Sequence, residues 1–344
     1  MPPIRVGCIG LGFISEHAHL PALAALAEEG KIVFQAFCDM SEETLKTQAA
    51  IYKPQATYTN HHEMFDKEEL DAVYLCIPPA VHSDELLIAA DKDIALFVEK
   101  PQTLDLAQAA EFNAAIEKAG IVTQVGYVYR YEPSSEPTRE LILQRTPRHA
   151  QIQNFYSGQP IRYWTSRYEL CGGSFVENTI HSVDLLRYFL GDIDAVSAFY
   201  VESLPEERIE PMNLPHVYNV NYRFKERLTA NASVSRVMSN VPYSKREILV
   251  ISDDSIIEWT PTKVTENGEV VWEGETQARG AFFSQTRAFI EAVQAGDPSM
   301  PRSPYVPSIN SLAAVLGANT SAENGGQLLL LDDLVAGTGT GTGK

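Results

Sequence analysis

Ile4-Arg-Val-Gly-Cys-Ile-Gly10-Leu-Gly12-Phe-Ile-Ser15 is an apolar run that ends in a glycine-rich turn. Ile4–Ile9 has the composition of a buried strand, and helical periodicity starts near Ile14 and continues through Leu26. A strand that turns into a helix through G-x-G-x-x-S has the spacing of a dinucleotide-binding fingerprint. Gly10 permits the tight turn, Gly12 lets the backbone approach a pyrophosphate, and Ser15 is small enough for close helix–strand packing. The anion would rest at the helix N-terminus, where unpaired N–H groups and the dipole favour negative charge. Gly10, Gly12, Phe13 and Ile14 are therefore candidate cofactor contacts, and a purely structural turn is the alternative.

Outward from this turn the chain alternates strand and helix. Val33–Cys38, Val73–Ile77, Ala95–Val98 and Ile121–Gly126 read as strands, with helical patterns between them. Nearly all-apolar strands in β-α alternation predict a parallel sheet covered on both faces, a Rossmann domain over residues 1–126. Beyond it the rhythm changes to successive strand-like segments from His149–Tyr156 to Val270–Trp272. The expected fold class is thus α/β: an N-terminal Rossmann dinucleotide-binding domain plus a C-terminal α+β domain with a large, mostly antiparallel open sheet, over residues 127–330. Helical periodicity returns at Phe282–Ala295 and at 308–322, the latter expected to pack back on the first domain. Residues 331–344, ending in GTGTGTGK, are expected to be a disordered tail.

Asp39 closes the second strand, 24 residues beyond Ser15, near the position of a ribose-binding acid. A carboxylate there accepts bonds from ribose hydroxyls and repels a 2′-phosphate. Met40 and Ser41 offer no arginine to receive one, so NAD is expected over NADP. The alternative role for Asp39 is an N-cap of the next helix.

The 344 residues carry a formal net charge of −18, which repels nucleic-acid phosphates and anionic lipid. No apolar run approaches the roughly 18 residues of a membrane span. The start MPPIRVGCIG has no charged region followed by an apolar one, so no signal peptide is expected. Cys8, Cys38, Cys76 and Cys171 lack C-x-x-C spacing and read as reduced core thiols, which points to the cytoplasm. The His, Cys, Asp and Glu spacings offer no metal-ligand set, and no metal is expected.

Glu99-Lys100-Pro101 follows the strand Ala95–Val98, at the carboxyl edge of the sheet where open α/β folds bind ligands. Together with the glycine turn, this motif resembles the Gfo/Idh/MocA family of sugar and polyol dehydrogenases. Three further segments match that family in order: Ile77-Pro78-Pro79-Ala80-Val81-His82, Gly126-Tyr127-Val128-Tyr129-Arg130-Tyr131-Glu132-Pro133, and the block from Gly172-Gly173 through His181 to Asp184. The resemblance runs from about residue 4 to 325.

By that resemblance, Lys100 would bond the reacting hydroxyl and His181 would be the principal general base in oxidation, both facing one cleft. An imidazole has a pKa suited to such a role. Glu177, four residues before His181, stands where many members have Asp, and would orient the imidazole or bind substrate. Cys171 and Thr179 replace family glycines. Ile77, Pro78, His82, Glu99 and Lys100 would line the cofactor, with His82 supporting the loop more than reacting. Arg130 reads equally as a substrate contact or a structural pairing. Tyr163, Trp164 and Tyr168, in the run Arg162–Tyr168, read equally as a sugar-stacking surface or as surface packing or a subunit contact. The implied activity is reversible hydride transfer between a nicotinamide and a secondary alcohol of a sugar, cyclitol or related polyol, in a homodimer or homotetramer built through the C-terminal sheet. The alternatives are a non-catalytic NAD-binding sensor or regulatory protein, and a glycosidase that uses NAD in a transient oxidation.

Overall fold

The computed structural model describes residues 2–157, 163–204, 206, 212–225, 227–238, 241–275 and 280–337. It divides into two compact units. The first comprises Met1–Gln102, Glu111–Tyr131 and Gln277–Ser308; the second comprises Thr103–Ala110, Glu132–Thr276 and Ile309–Lys344.

The chain opens with β1 (Ile4–Ile9), α1 (Leu20–Glu28), β2 (Ile32–Cys38), α2 (Glu42–Tyr52), β3 (Ala56–Tyr58), α3 (His61–Lys67), β4 (Ala72–Leu75), α4 (Glu85–Asp91), β5 (Ala95–Val98), α5 (Leu106–Ala119) and β6 (Thr123–Val125). The six strands form one parallel sheet in the order β3-β2-β1-β4-β5-β6. Every residue of β4 and β5 is buried, the signature of strands covered on both faces. This order reverses direction between β1 and β4, so the carboxyl ends of these two strands open a crevice. β3 and α3 carry little apolar periodicity, and the sequence reading did not separate them.

The remaining elements are α6 (Ser135–Leu143), β7 (Pro147–Ser157), α7 (Tyr168–Cys171), α8 (Ile180–Leu190), β8 (Ile193–Glu202), β9 (Pro215–Phe224), β10 (Thr229–Met238), β11 (Ser244–Ser252), β12 (Ile256–Trp259), β13 (Lys263–Glu266), β14 (Glu269–Glu273), α9 (Gly280–Ala295), α10 (Tyr305–Glu323), β15 (Leu329–Leu330) and α11 (Leu331–Val335). Nine strands make the second sheet, ordered β14-β13-β12-β11-β7-β10-β9-β8-β15. All neighbours are antiparallel except β7 and β10. Alternation sets its two faces. Tyr218, Val220, Tyr222, Ala230, Ala232 and Val234 are buried, while their neighbours Asn219, Asn221, Asn231 and Ser233 point to the opposite, more accessible face.

Two placements differ from the sequence reading. Helix α9 falls in the stretch expected for the second domain, yet Phe289, Ile290 and Ala292 join the first unit's core with Val6, Leu23, Phe37 and Tyr74. Its apolar stripe is recognisable in sequence, but a stripe does not say which apolar surface it covers. Within the stretch 331–344, expected to be a disordered tail, Leu331–Val335 is helical. Leu331 is buried, and the preceding Leu329 and Leu330 pair with Val196 and Ala195 of β8. The stretch 338–344 lies outside the described residues. Helix α10 includes the expected 308–322; its first residue, Tyr305, belongs to the first unit, where its N–H donates to Thr123 Oγ1 at 3.0 Å. No helix among the described residues is long and apolar enough to cross a membrane. None of the four cysteines forms a disulfide, and burial raises the thiol pKa values of Cys8 and Cys38, the latter to about 11.

Phe289 is fully buried with its ring edge-on to Tyr74 and Phe97, at 5.5 and 5.8 Å between centroids. Phe289→Ala should therefore destabilise the first unit by about 3–5 kcal/mol, read as an earlier urea transition. An unchanged midpoint would show that α9 contributes little to this core.

Candidate active site

The exit of β1 is shaped by backbone contact. Gly10 has φ +83°, and a Cβ there would lie 2.5 Å from the carbonyl oxygen of Cys76 and 2.7 Å from Ile77 Cγ2. Its N–H donates to Cys38 O at 2.9 Å, so this turn is pinned to the ends of β2 and β4 together. Ser15 Oγ donates back to Gly10 O at 2.5 Å. Gly12 is the opposite case, since nothing lies within 4 Å of a Cβ built on it. The first glycine is thus required by the fold, and the second keeps space open above the helix start. Residues Ser15–His19 form a single π-helical turn before α1, a feature frequent at functional sites. Phe13 is half-exposed and stacks on His17 at 4.0 Å; Ile14 has ordinary helical dihedrals.

Asp39 is held at this turn. Its Oδ2 accepts the N–H of Leu11 at 2.7 Å and its Oδ1 accepts that of Ser41 at 2.8 Å. The sequence alternative, a cap for α2, is filled by Ser41, whose Oγ accepts the N–H of Thr44.

The loop after β4 carries Ile77, Pro78 and His82. His82 is buried, and its Nδ1 bonds Glu85 Oε1, while Glu85 Oε2 accepts the N–H and hydroxyl of Ser83 at 2.9 and 2.8 Å. Burial alone would raise the Glu85 pKa, but the bond and charge of His82 outweigh it and pull the carboxyl down to about 2. The loop is therefore clamped by an ionised carboxylate.

After β5, Glu99 is buried and faces His19, with Nε2 and Oε1 2.6 Å apart. The other oxygen accepts the backbone N–H of Lys100 at 3.0 Å. Gly126 makes room for this carboxylate, because a Cβ there would come within 2.8 Å of it. The structure joins His19 to Glu99 across 80 residues of sequence, a pairing no local pattern signals. The peptide bond from Lys100 to Pro101 is cis.

The segment after β6 is fixed by β6 itself and by the loop before α10. Arg130 is buried and donates to the carbonyl oxygen of Arg302, whose Nη1 returns a bond to Arg130 O at 2.8 Å. Arg130 thus has a structural partner, the Arg302 carbonyl. Tyr131 donates to Gln124 and accepts the N–H of Arg302; burial raises its hydroxyl to about 12.

In the second unit, Gly172 and Gly173 have φ +71° and +91°, and a Cβ on Gly173 would lie 2.9 Å from the Tyr218 hydroxyl. This turn starts a helical run whose first part, Phe175–Thr179, is again π-helical and continues into α8. Glu177 lies in the π turn, its N–H on Gly173 O, and His181 lies in the first turn of α8; both are partly exposed. Cys171 and Thr179 are buried. Asp184 is fully buried, accepts from the Ser311 hydroxyl at 2.7 Å, and fastens α8 to α10. Trp164 and Tyr168 pack on Cys171, Met212 and Leu214, whereas Tyr163 remains exposed with Arg167 over its ring at 5.9 Å. The Tyr168 hydroxyl donates to Glu323 at 2.7 Å. Both packed aromatics, Trp164 and Tyr168, keep part of their surface accessible; Arg162 lies outside the described residues.

Residues 4–127 match the Gfo/Idh/MocA oxidoreductase family's NAD-binding Rossmann fold, and residues 146–254 match the Gfo/IDH/MocA C-terminal domain. The chain belongs to the Gfo/Idh/MocA family of oxidoreductases. It is 24% identical over 306 residues to a myo-inositol 2-dehydrogenase of Thermotoga maritima, covering 86% of this chain and 90% of that protein. It is also 24% identical over 188 residues to an uncharacterized oxidoreductase of Bacillus subtilis, covering 55% and 54%, about half of each. Among solved structures, a levoglucosan dehydrogenase in complex with NADH and levoglucosan superposes with a TM-score of 0.84 at 15% identity, covering 96% of this chain and 99% of that one. Gfo/Idh/MocA architecture thus accounts for both sheets and for the glycine turn.

The two glycines of the turn make separable predictions. Gly10→Ala forces a side chain against the Cys76 carbonyl at positive φ and should cost about 1–3 kcal/mol, seen as a lower melting temperature. Gly12→Ala should melt with the parent. Equal melting of all three proteins would contradict this reading of the turn.

Proposed function

We propose that this oxidoreductase transfers a hydride between NAD and a secondary alcohol carbon of a sugar, cyclitol or related polyol. The observation that carries it is the β1 turn, where open space over Gly12 adjoins an Asp39 carboxylate already held by the Leu11 and Ser41 N–H groups. The residues present fit a dinucleotide: the turn offers room for a pyrophosphate, and Asp39 retains lone pairs for two ribose hydroxyls. Bound nicotinamide would supply the hydride acceptor for oxidation or the donor for reduction.

The preference for NAD rests on charge. Asp39 would lie against a 2′-phosphate, and Met40 and Ser41 carry no positive group to offset it. Asp39→Ala should narrow the gap between NADH and NADPH dissociation constants measured by fluorescence titration. Tighter NADPH binding by the parent protein would refute the assignment.

Proton movement falls to Lys100 and His181. The Lys100 ammonium would donate to the reacting hydroxyl, and the His181 imidazole would take the proton as hydride leaves. Glu177 would orient that imidazole or hold a substrate hydroxyl. Support comes from the backbone: Lys100 follows a β5 end fixed by Glu99 and His19, and His181 opens a helix anchored by Asp184 and Ser311. A positioned base contributes about 10²–10⁴-fold. His181→Ala and Lys100→Ala should each lower kcat by about that factor, and the double variant by less than the product, since the pair would act as a unit. Assays against a panel of sugars, inositols and sugar acids identify the substrate first. Full activity in either alanine variant would end the proposal.

The accessible face of the second sheet is the proposed subunit contact. Its rows combine amides and hydroxyls, such as Ser197, Asn221, Asn231 and Gln151, with exposed Phe199 and Val201 on β8. Sedimentation should give a dimer or tetramer, and Phe199→Glu with Val201→Glu should shift it towards monomer. A monomeric parent at micromolar concentration contradicts this.

A further inference from the structure

Away from the β1 turn, α3 begins with two adjacent histidines. Asn60 caps the helix, its Oδ1 accepting the N–H of His62 at 2.8 Å, so both imidazoles are set by one helix start. Their rings lie 4.2 Å apart at 32°. Both aim at the same oxygen: His61 Nε2 is 2.9 Å and His62 Nε2 3.6 Å from Asp84 Oδ1. Asp84 precedes α4 and makes no cap bond to it; besides the two imidazoles, its Oδ1 meets only a long contact from the Ser83 hydroxyl, at 3.4 Å, among the described residues.

We propose that His61, His62 and Asp84 bind a divalent transition-metal ion of the zinc class. The three ligand atoms lie within 4.8 Å of one another. A tetrahedral zinc ion bound at about 2.0–2.2 Å spaces its ligands roughly 3.3 Å apart, so small side-chain rotations complete the set. Two imidazoles and one carboxylate suit zinc, copper or nickel, and suit calcium or magnesium poorly, because those take oxygen ligands. Solvent would fill the fourth position. Electrostatics supply an independent reason: an open cleft of about 430 Å³ beside His62 is lined by Asp66, Asp84 and Asp91 against a single ammonium, Lys92. That excess of negative charge draws a cation to the imidazoles.

No sequence spacing announces this set, since Asp84 is 22 residues beyond His62 and arrives only because α3 and α4 pack together. The ion would join α3 to the start of α4, next to the Ser83–Glu85 clamp that holds His82.

The test uses full-length, tag-free protein stripped with a chelator, titrated calorimetrically with ZnCl₂ in a non-coordinating buffer. One ion per chain should bind, and the melting temperature should rise with zinc, because the ion binds the folded chain. His62→Gln and Asp84→Asn should each weaken binding at least about tenfold and abolish the melting shift, while both variants melt with the metal-free parent. Absence of stoichiometric zinc binding in the parent overturns the proposal. Retention of parental affinity in either variant also overturns it, placing the ion on other residues.

Discussion

Gly10 is where the first unit is most tightly constrained. Its amide bonds the end of β2 while its bare Cα faces the end of β4, so three strand ends meet around one residue without a side chain. A β-carbon would enter the Cys76 carbonyl, and neither strand can retreat, since both are paired along their length. The rest of the carboxyl edge inherits this precision. Asp39 reaches the Leu11 amide because the turn is tight, and the loop after β4 starts where the turn ends.

Three carboxylates along that edge are each satisfied by fixed donors: Asp39 by two backbone amides, Glu85 by His82 and Ser83, Glu99 by His19 and the Lys100 amide. Acidic groups so close to a site for an anionic dinucleotide would be unfavourable if their charge were unopposed. Held by N–H donors and imidazoles, they position loops while their fields are partly neutralised. The net charge of −18 therefore says little about this edge.

Legibility followed sequence distance. The glycine turn, Asp39 at the end of β2 and Lys100 just after β5 are readable because each is a local pattern at an element boundary, whereas the strand read as Val73–Ile77 ends at Leu75. The His19–Glu99 pair is not readable, since it spans 80 residues and joins a helix to a strand end. Both π turns escaped notice because a widened turn leaves no mark on apolar periodicity. Helix α9 was visible as a helix but not as part of the first unit's core, and β15 with two residues is too short to carry a period. For the aromatic run, sequence leaves packing and binding equally open, and the contacts of Trp164 and Tyr168 with Met212 and Leu214 come from a distant stretch of chain that no local pattern signals.

The π turns carry the argument one step further. One precedes α1 directly after the glycine turn, and the other precedes α8 directly after Gly172-Gly173. Each follows a glycine at positive φ that is crowded by a neighbour, Cys76 in one unit and Tyr218 in the other. Where a chain must leave such a turn and still present its helix face to a packed core, one extra residue in the first helical turn resets the phase. Leu20 and Leu23 of α1 are then buried against the parallel sheet, and Val183, Leu186 and Asp184 of α8 are buried. The residues inside the wide turns, Ser15 and His19 in one and Glu177 in the other, are displaced from ordinary helical positions. Ser15 and His19 thereby meet Gly10 and Glu99, so the same local defect that reconciles turn with core also aims polar groups at the strand ends.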